Sequence, residues 1–415
     1  MNRKRVVITG LGAVTCLGSS VDQLWDGLIN GRSGIRRITQ FDPSDLPCQI
    51  GGEIPDFDPE KYMDRKEVRR MPRSTQIAIA CALQAVEDAG LPDTMPNPER
   101  AGVVFGTALG GADALIDGYA EFKEKGYQRV KPFVLPTGIP NLPGYAIAKR
   151  FQCLGHNSTI VVACATGTQT VGEGAEVIRR GAADVLIVGG TEALMKDYSI
   201  AGFVVMRALP CNYNDAPEKA SRPFDAEREG FVFSEGAAAM VLESLDHALE
   251  RGAPIYAEVV GQASSSDGYH IAAPHPEGLG AIRTMKWALE DANVNPAEID
   301  YINPHGSSTP LNDSMETNAI KAVFGDHAYK LAISSTKSML GHAMGASGTI
   351  EAIACTLAIR DGIIPPTINY ENPDPECDLD YVPNVARKQN VNAALSNSFG
   401  LGGQNACLVI KKYQE

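Results

Sequence analysis

No run of about 18 consecutive apolar residues occurs in this 415-residue chain, so no membrane span is expected. Positive charge is scarce. There are 37 Lys and Arg against 50 Asp and Glu, a formal net charge of −13, which excludes nucleic-acid binding by bulk electrostatics. An acidic partner must therefore find a local basic patch. The nine cysteines, an odd number, form no Cys-x-x-Cys pair and stand at no zinc spacing from a histidine. They read as reduced thiols in a cytoplasmic protein. The opening MNRKRVVITGLG has neither a secretory apolar core nor a long Ser/Arg-rich leader. Its glycines fall at 10, 12 and 18 with Thr15 where G-x-G-x-x-G needs glycine, so a dinucleotide site is rejected.

Glycine is abundant, with 41 residues, which implies tight turns and close backbone approaches. Strand-like runs end in polar or glycine-rich turns at 5–12, 101–111, 183–193, 256–267, 299–306, 330–342 and 391–403. A helix with a Ser cap and a Gly stop is expected over 74–90. This alternation predicts an α/β fold with strands buried on both faces and chemistry at strand ends. A weak internal repeat supports two similar halves. ATGT at 165–168 matches ASGT at 346–349, and Ile178, Arg179 and Gly181 match Ile359, Arg360 and Gly362 at the same offset. The boundary is placed near 250, giving halves 1–250 and 251–415. The Pro-rich segment 364–384 is expected to wrap the surface.

Cys164 closes the run TIVVACATGTQT. A β-branched stretch followed by small residues reads as a buried strand turning into a helix. A thiol over a helix N-terminus would be partly ionised near neutral pH and could accept an acyl group. The same pattern fits a small buried core cysteine. Three further segments carry polar chemistry: INPHGSSTP with His305, SSTKSMLGHAMGASG with Lys337 and His342, and SNSFGLGGQN with Phe399. Each histidine alone also fits a hydrogen-bonded structural role, Lys337 a solvated one and Phe399 core packing.

Together, in this order and spacing, the four segments resemble the elongating β-ketoacyl-[acyl-carrier-protein] synthases, condensing enzymes of the thiolase superfamily, and within them the synthase II group. The likeness runs from RVVITGLGAVT to GLGGQNACLVI. It implies a thiolase-like fold of two pseudo-repeated α/β halves in α-β-α-β-α layers. It implies a decarboxylative Claisen condensation in fatty acid elongation, with Cys164 as nucleophile and His305 and His342 as hydrogen-bond donors to an enolate. Lys337 and Glu351 support the site, Phe399 gates it, and the amides of Cys164 and Phe399 form the oxyanion hole. Ser307 and Thr309 would hold the phosphopantetheine arm. No cofactor is required, although Asn303, Glu351, Ser396 and Asn397 could hold a structural Na⁺ or K⁺. The implied partner is acyl carrier protein bearing acyl and malonyl groups, and the implied assembly is a homodimer. Leu109 and Phe133 would line the acyl tunnel. The chain departs from the family at Ala272, where a pantetheine threonine is usual, and at Leu401, where Phe is common.

The basic patch is sought in EKYMDRKEVRRMPRS, where Arg65, Lys66, Arg69, Arg70 and Arg73 recur at helical spacing, and in Lys125, Arg129 and Arg207. Each fits a solvated charged face equally well. The alternatives within the fold are the synthase I subtype and a polyketide-type ketosynthase. A non-catalytic chain-length subunit and a carrier-binding scaffold are disfavoured by the intact Cys164.

Overall fold

The computed structural model describes residues 3–54 and 56–414. Ten strands form one continuous sheet: β1 (Val6–Thr15), β2 (Ala101–Gly106), β3 (Asn157–Ser158), β4 (Val185–Glu192), β5 (Gly236–Ser244), β6 (Ala257–Ser266), β7 (Tyr301–Asn303), β8 (Ala332–Ile333), β9 (Ala393–Gly400) and β10 (Gln404–Lys411). Their spatial order is β8-β7-β9-β10-β6-β1-β5-β4-β2-β3. The order is a duplication, because each strand of the first five has its counterpart five strands later. In the first half β3, β2 and β4 run parallel, while β5 is antiparallel to β4 and to β1. In the second, β8, β7 and β9 run parallel, while β10 is antiparallel to β9 and to β6. The halves meet where β1 pairs with β6, over Val7↔Glu258 and Ile8↔Ala257.

Helices complete five layers. The outer layer on the first half holds α1 (Arg73–Asp88) and α2 (Leu142–Phe151). The central layer between the half-sheets holds α3 (Thr166–Arg179) and α6 (Ser347–Asp361). The outer layer on the second half holds α4 (Leu279–Ala292), with α5 (Pro310–Phe324) packed beside it. Every residue of α6 from Ser347 to Ile359 is buried. Its Ala, Ile, Leu and Cys residues leave no polar stripe, which suits a helix covered on all sides.

The sequence repeat has a packing reason. α3 and α6 are the equivalent helices of the two halves, and they touch at their N-termini. A Cβ on Gly167 would lie 2.6 Å from the Thr349 amide nitrogen, and one on Gly348 would lie 2.3 Å from that of Thr168. Only glycine allows that approach, so an alanine at either position should cost about 1–3 kcal/mol by overpacking.

Several expectations shift in detail. The first long helix starts at Arg73 behind Pro72, so Ser74 is a buried first-turn residue rather than its cap. Residues 159–162 form no strand. Only Asn157 and Ser158 pair with β2 at the sheet edge, and Val161 is 47% exposed. The 330–342 run shrinks to the two residues of β8 and a short helix Lys337–Leu340. Segment 364–384 is irregular, yet it buries Ile364, Cys377 and Tyr381, so it straps the core as well as covering it. Among the described residues no helix is long and apolar enough to cross a membrane.

Candidate active site

Cys164 lies in a single 3₁₀ turn, Ala163–Ala165, immediately before α3. The chain reaches that turn through Ala163 at φ +50°, a left-handed backbone that costs energy for a residue with a Cβ. That turn presents the thiol above the N-terminal end of α3. Cys164 is 5% exposed. Burial pushes its thiol up to about 11, opposed by the Leu401 backbone N–H and by the charge of Lys337. The resting group is therefore a protonated thiol, not the partly ionised one expected from the helix N-terminus. Alkylation by iodoacetamide should accordingly climb about tenfold per pH unit from neutrality to about pH 10. A plateau near pH 7 would restore the ionised reading.

His305 follows β7, and His342 follows the short helix Lys337–Leu340. The Cys164 Sγ and one ring nitrogen of each histidine all lie within 4.8 Å of one another. The two imidazoles meet edge to face at 5.3 Å between centroids. Both are buried, and burial together with Lys337 holds both well below the usual histidine range, so both are neutral at pH 7. Nδ1 of His342 pairs with Ser347 Oγ at 2.9 Å, while its Nε2 is buried with no partner. A hydroxyl donating to Nδ1 places the ring proton on Nε2, where it can serve a ligand. The His342 backbone is held on both sides: its N–H donates to Val232 O at 2.7 Å, and its O accepts from Ser234 N at 3.0 Å.

These groups open onto a cavity of about 390 Å³ walled also by Phe399, Leu401, Ser307, Thr309 and Arg207. A thiol and two neutral imidazoles face one space there.

Residues 3–248 match the family described as "Beta-ketoacyl synthase, N-terminal domain", and residues 256–371 match "Beta-ketoacyl synthase, C-terminal domain". The chain belongs to the β-ketoacyl synthase family. It is 49% identical to the 3-oxoacyl-[acyl-carrier-protein] synthase 2 of Synechocystis sp., covering 100% of this chain and 99% of that one. It is 47% identical to the Coxiella burnetii protein of the same name, covering 99% of each. Among solved structures it resembles the ishigamide ketosynthase/chain length factor (TM-score 0.93, 37% identity, 99% of this chain and 100% of that one). It also resembles a β-ketoacyl synthase from Burkholderia phymatum (TM-score 0.92, 34% identity, 99% and 100%).

Within this β-ketoacyl synthase site the supporting lysine is a linchpin. Lys337 is 2% exposed; its Nζ donates to the backbone O of His305 at 2.7 Å and pairs with Glu351. It thus ties the His305 loop to the central helix α6. Removing either partner would strand a buried charge, a loss of about 3–5 kcal/mol. Glu316 on α5 was not singled out in the sequence. Its carboxylate accepts from the amides of His305 (2.9 Å) and Gly306 (2.8 Å) and from Asn397 Nδ2 (3.2 Å). Its signal was an acid on the inward face of a helix, which sequence spacing alone does not distinguish from a solvated one. Ser308, at φ +69°, accepts from the buried Arg222 amide at 3.0 Å and fixes the turn carrying Ser307 and Thr309.

The Leu401 N–H reaches the resting Cys164 sulfur, two residues beyond Phe399, whose amide the resemblance puts in the oxyanion hole. Phe399 stands opposite Asn405 near the end of β9, which runs to Gly400. Its ring is 6% exposed and stands 5.9 Å from His305, so it forms a wall of the cavity. Leu109 packs in the apolar cluster that contains Cys164 and Met344. Phe133 does not reach the site: it is 59% exposed and lines a separate cleft with Arg70 and Thr137.

The cationic residues are exposed, but not as one helical face. The helix spans only Arg65–Val68, Pro72 interrupts the run, and Arg73 turns inward to the buried Glu235 at 2.5 Å. Arg65 stands near Glu60 at 3.7 Å. Arg69, Arg70 and Lys131 border one cleft that also contains Asp113, Asp117 and Glu121. Lys66, Lys125 and Arg129 are exposed elsewhere on this side of the chain sequence, and Arg207 stands at the rim of the Cys164 cavity.

Proposed function

We propose that the chain is a 3-oxoacyl-[acyl-carrier-protein] synthase of the type II class, condensing a Cys164-bound acyl chain with malonyl-[acyl-carrier-protein] in fatty acid elongation. The observation that carries this is one thiol and two neutral imidazoles on a single cavity. In the first step Cys164 attacks an acyl thioester. A sulfur–carbon bond forms, the carrier's carbon–sulfur bond breaks, and the thiol proton passes by way of a neutral imidazole to the departing thiolate. The transient oxyanion is assigned to the amides of Cys164, before α3, and Phe399, near the end of β9, while the Leu401 N–H stands by the resting sulfur. In the second step malonyl thioester loses CO₂. Its enolate oxygen accepts from His342 Nε2–H and from His305, each donor lowering the barrier by about 3–4 kcal/mol. The carbanion then attacks the acyl-Cys164 carbonyl, the thiolate leaves and is reprotonated, and the 3-oxoacyl carrier protein departs. The assay is product and CO₂ from acyl- plus malonyl-[acyl-carrier-protein]. Equimolar release of both is expected, and CO₂ without product would leave only a decarboxylase.

The pantetheine arm is assigned to Ser307 and Thr309, whose hydroxyls lie 3.0 Å apart on the cavity wall. Carrier docking is assigned to Arg65, Lys66, Arg69, Arg70, Lys125, Arg129 and Arg207, exposed cations on an acidic chain. A solved relative is titled as an acyl-carrier protein in complex with its ketosynthase, which supports a carrier partner here. Reversing Arg65, Lys66 and Arg69 to Glu should weaken carrier binding roughly tenfold at low salt, and less at high salt. No change at low salt would remove that surface.

A monovalent cation is the second assignment. Asn303 Oδ1, Ser396 Oγ, Asn397 Oδ1 and Glu351 Oε2 are all buried without a hydrogen-bond partner. Oxygen donors suit a hard ion. The lone carboxylate is already offset by Lys337, which favours single charge. The ion would hold the ends of β7 and β9 in place. The melting temperature should rise with KCl or NaCl but not with tetramethylammonium chloride; equal effects would exclude it.

The homodimer rests on an exposed apolar tract beside the open sheet edge at β3. Tyr119, Tyr127, Phe133, Leu135 and Tyr145 are each more than half exposed. A second copy covers this face in the proposal, and a monomeric sedimentation coefficient would refute it. All nine cysteines are free thiols, which supports a reducing, cytoplasmic setting.

A further inference from the structure

Glu192 is a buried acid that the condensation chemistry does not use. It ends β4, it is 0% exposed, and among the described residues no basic side chain pairs with it. Its carboxylate instead gathers donors from two loops of different halves. From the glycine loop after β2, the Ala108 amide donates to Oε2 at 2.9 Å, the Leu109 amide also donates, and the Thr107 hydroxyl donates to Oε1 at 3.2 Å. From the turn Met344–Ala346, the Gly345 amide donates to Oε2 at 3.3 Å. Thr107 Oγ1 in turn accepts from the Gly110 amide at 3.0 Å, which extends the grip along the loop.

The two loops are pressed together at this carboxylate. A Cβ on Gly345 would lie 2.5 Å from the Ala108 nitrogen, and one on Gly190 would lie 2.2 Å from Gly345 O. Met344 sits at φ +40°, a conformation that needs external support. Each loop carries one apolar side chain toward the nucleophile: Leu109 and Met344 pack in the cluster that contains Cys164. The charge on Glu192 is also felt at the Cys164 sulfur. The carboxylate therefore lies behind the wall that an acyl chain on Cys164 must meet.

We propose that Glu192 is a positioning residue for acyl-chain specificity: by clamping the Leu109 loop to the Met344 turn it sets how long a chain the Cys164 site accepts. The reasoning is steric. How far Leu109 and Met344 give way to a growing chain depends on where their backbones place them, and four donors to one buried carboxylate hold those backbones. A glutamine keeps the shape but offers one oxygen acceptor where two served. A valine at Thr107 removes the hydroxyl link to Oε1 and with it the acceptor for the Gly110 amide, while the three amide donors to the carboxylate remain.

The inference rests on the condensing reading, and its test separates the two. Acyl transfer to Cys164 is measured for acyl-[acyl-carrier-protein] of increasing chain length in the wild type, in Glu192→Gln and in Thr107→Val. Malonyl decarboxylation is followed beside it. Glu192→Gln should change the kcat/KM ratio between the preferred chain and the next longer ones by about tenfold, the scale of a changed apolar pocket. Thr107→Val should shift the same ratio in the same direction by less. Decarboxylation, which needs only the two imidazoles, should stay within about twofold. An unchanged ratio in both variants, or an equal loss at every chain length, would overturn the inference while leaving the condensing function intact. Should Glu192→Gln fail to fold, Thr107→Val decides alone. A wild type that forms no acyl adduct would instead overturn the condensing reading.

Discussion

Replacing Cys164 by glutamine should abolish condensation, a loss of roughly 10⁴-fold or more, while CO₂ is still released from malonyl-[acyl-carrier-protein]. The two halves of that expectation come from different residues. Condensation needs a sulfur that can carry the acyl chain, and a glutamine amide cannot. Decarboxylation needs donors to the enolate oxygen, and His305 and His342 remain. The glutamine side chain can occupy the space of an acyl thioester in the same cavity. The variant thus imitates the acylated state in which decarboxylation occurs. The measurement is CO₂ and 3-oxoacyl product from the same reaction. Retained condensation would remove Cys164 from the mechanism, and loss of both activities would show that the thiol also serves decarboxylation.

The converse variants should separate the steps in the other direction. His342→Ala deletes the donor whose Nδ1 pairs with Ser347 and whose Nε2 is left free for a ligand. Decarboxylation should fall about 10²- to 10³-fold, the worth of one preorganised donor. His305→Ala should do the same, and the double variant should lose less than the product of the two, because the rings share one oxyanion. Acyl transfer to Cys164 should survive in His342→Ala at a reduced rate. The pH dependence follows from the direction of the shifts. Both imidazoles are held well below the usual histidine range by burial and by Lys337. As pH falls through 6.5 they stay neutral, so decarboxylation should hold its rate there and decline only at more acid pH. A decline centred on the ordinary histidine value would contradict neutral donors. So would a His342→Ala protein that decarboxylates normally but cannot be acylated.

How much of this was legible in the sequence depends on which atoms carry the role. Side-chain chemistry in short motifs was legible: Cys164 sits in the turn before α3, His305 follows β7, Lys337 opens a short helix and His342 follows it, and the fold brings all four together. The duplication was legible through a few small residues, because Gly167 and Gly348 must let two helices touch. Backbone donors were not. That the Leu401 N–H reaches the resting sulfur depends on how the chain turns after β9, and no side chain marks that turn. Buried acids were hidden for a related reason. Glu316 and Glu192 look like ordinary helix and strand-end residues until their amide donors are in view. One surface expectation failed on the chain's own geometry: Pro72 breaks the basic run before Arg73. Phe133 lies on an exposed face, away from the Cys164 of its own chain. The thiol state was misjudged because a helix N-terminus was weighed without the cost of burial.

The central claim is that Cys164 carries the growing chain and surrenders it to a carbanion made beside the two histidines. Intact mass after incubation with acyl-[acyl-carrier-protein], and again after adding malonyl-[acyl-carrier-protein], tests it most directly. The account predicts one acyl adduct on Cys164, absent from Cys164→Ala, that the malonyl substrate removes as 3-oxoacyl product. An adduct that persists in Cys164→Ala, or one that malonyl-[acyl-carrier-protein] leaves in place, would contradict it.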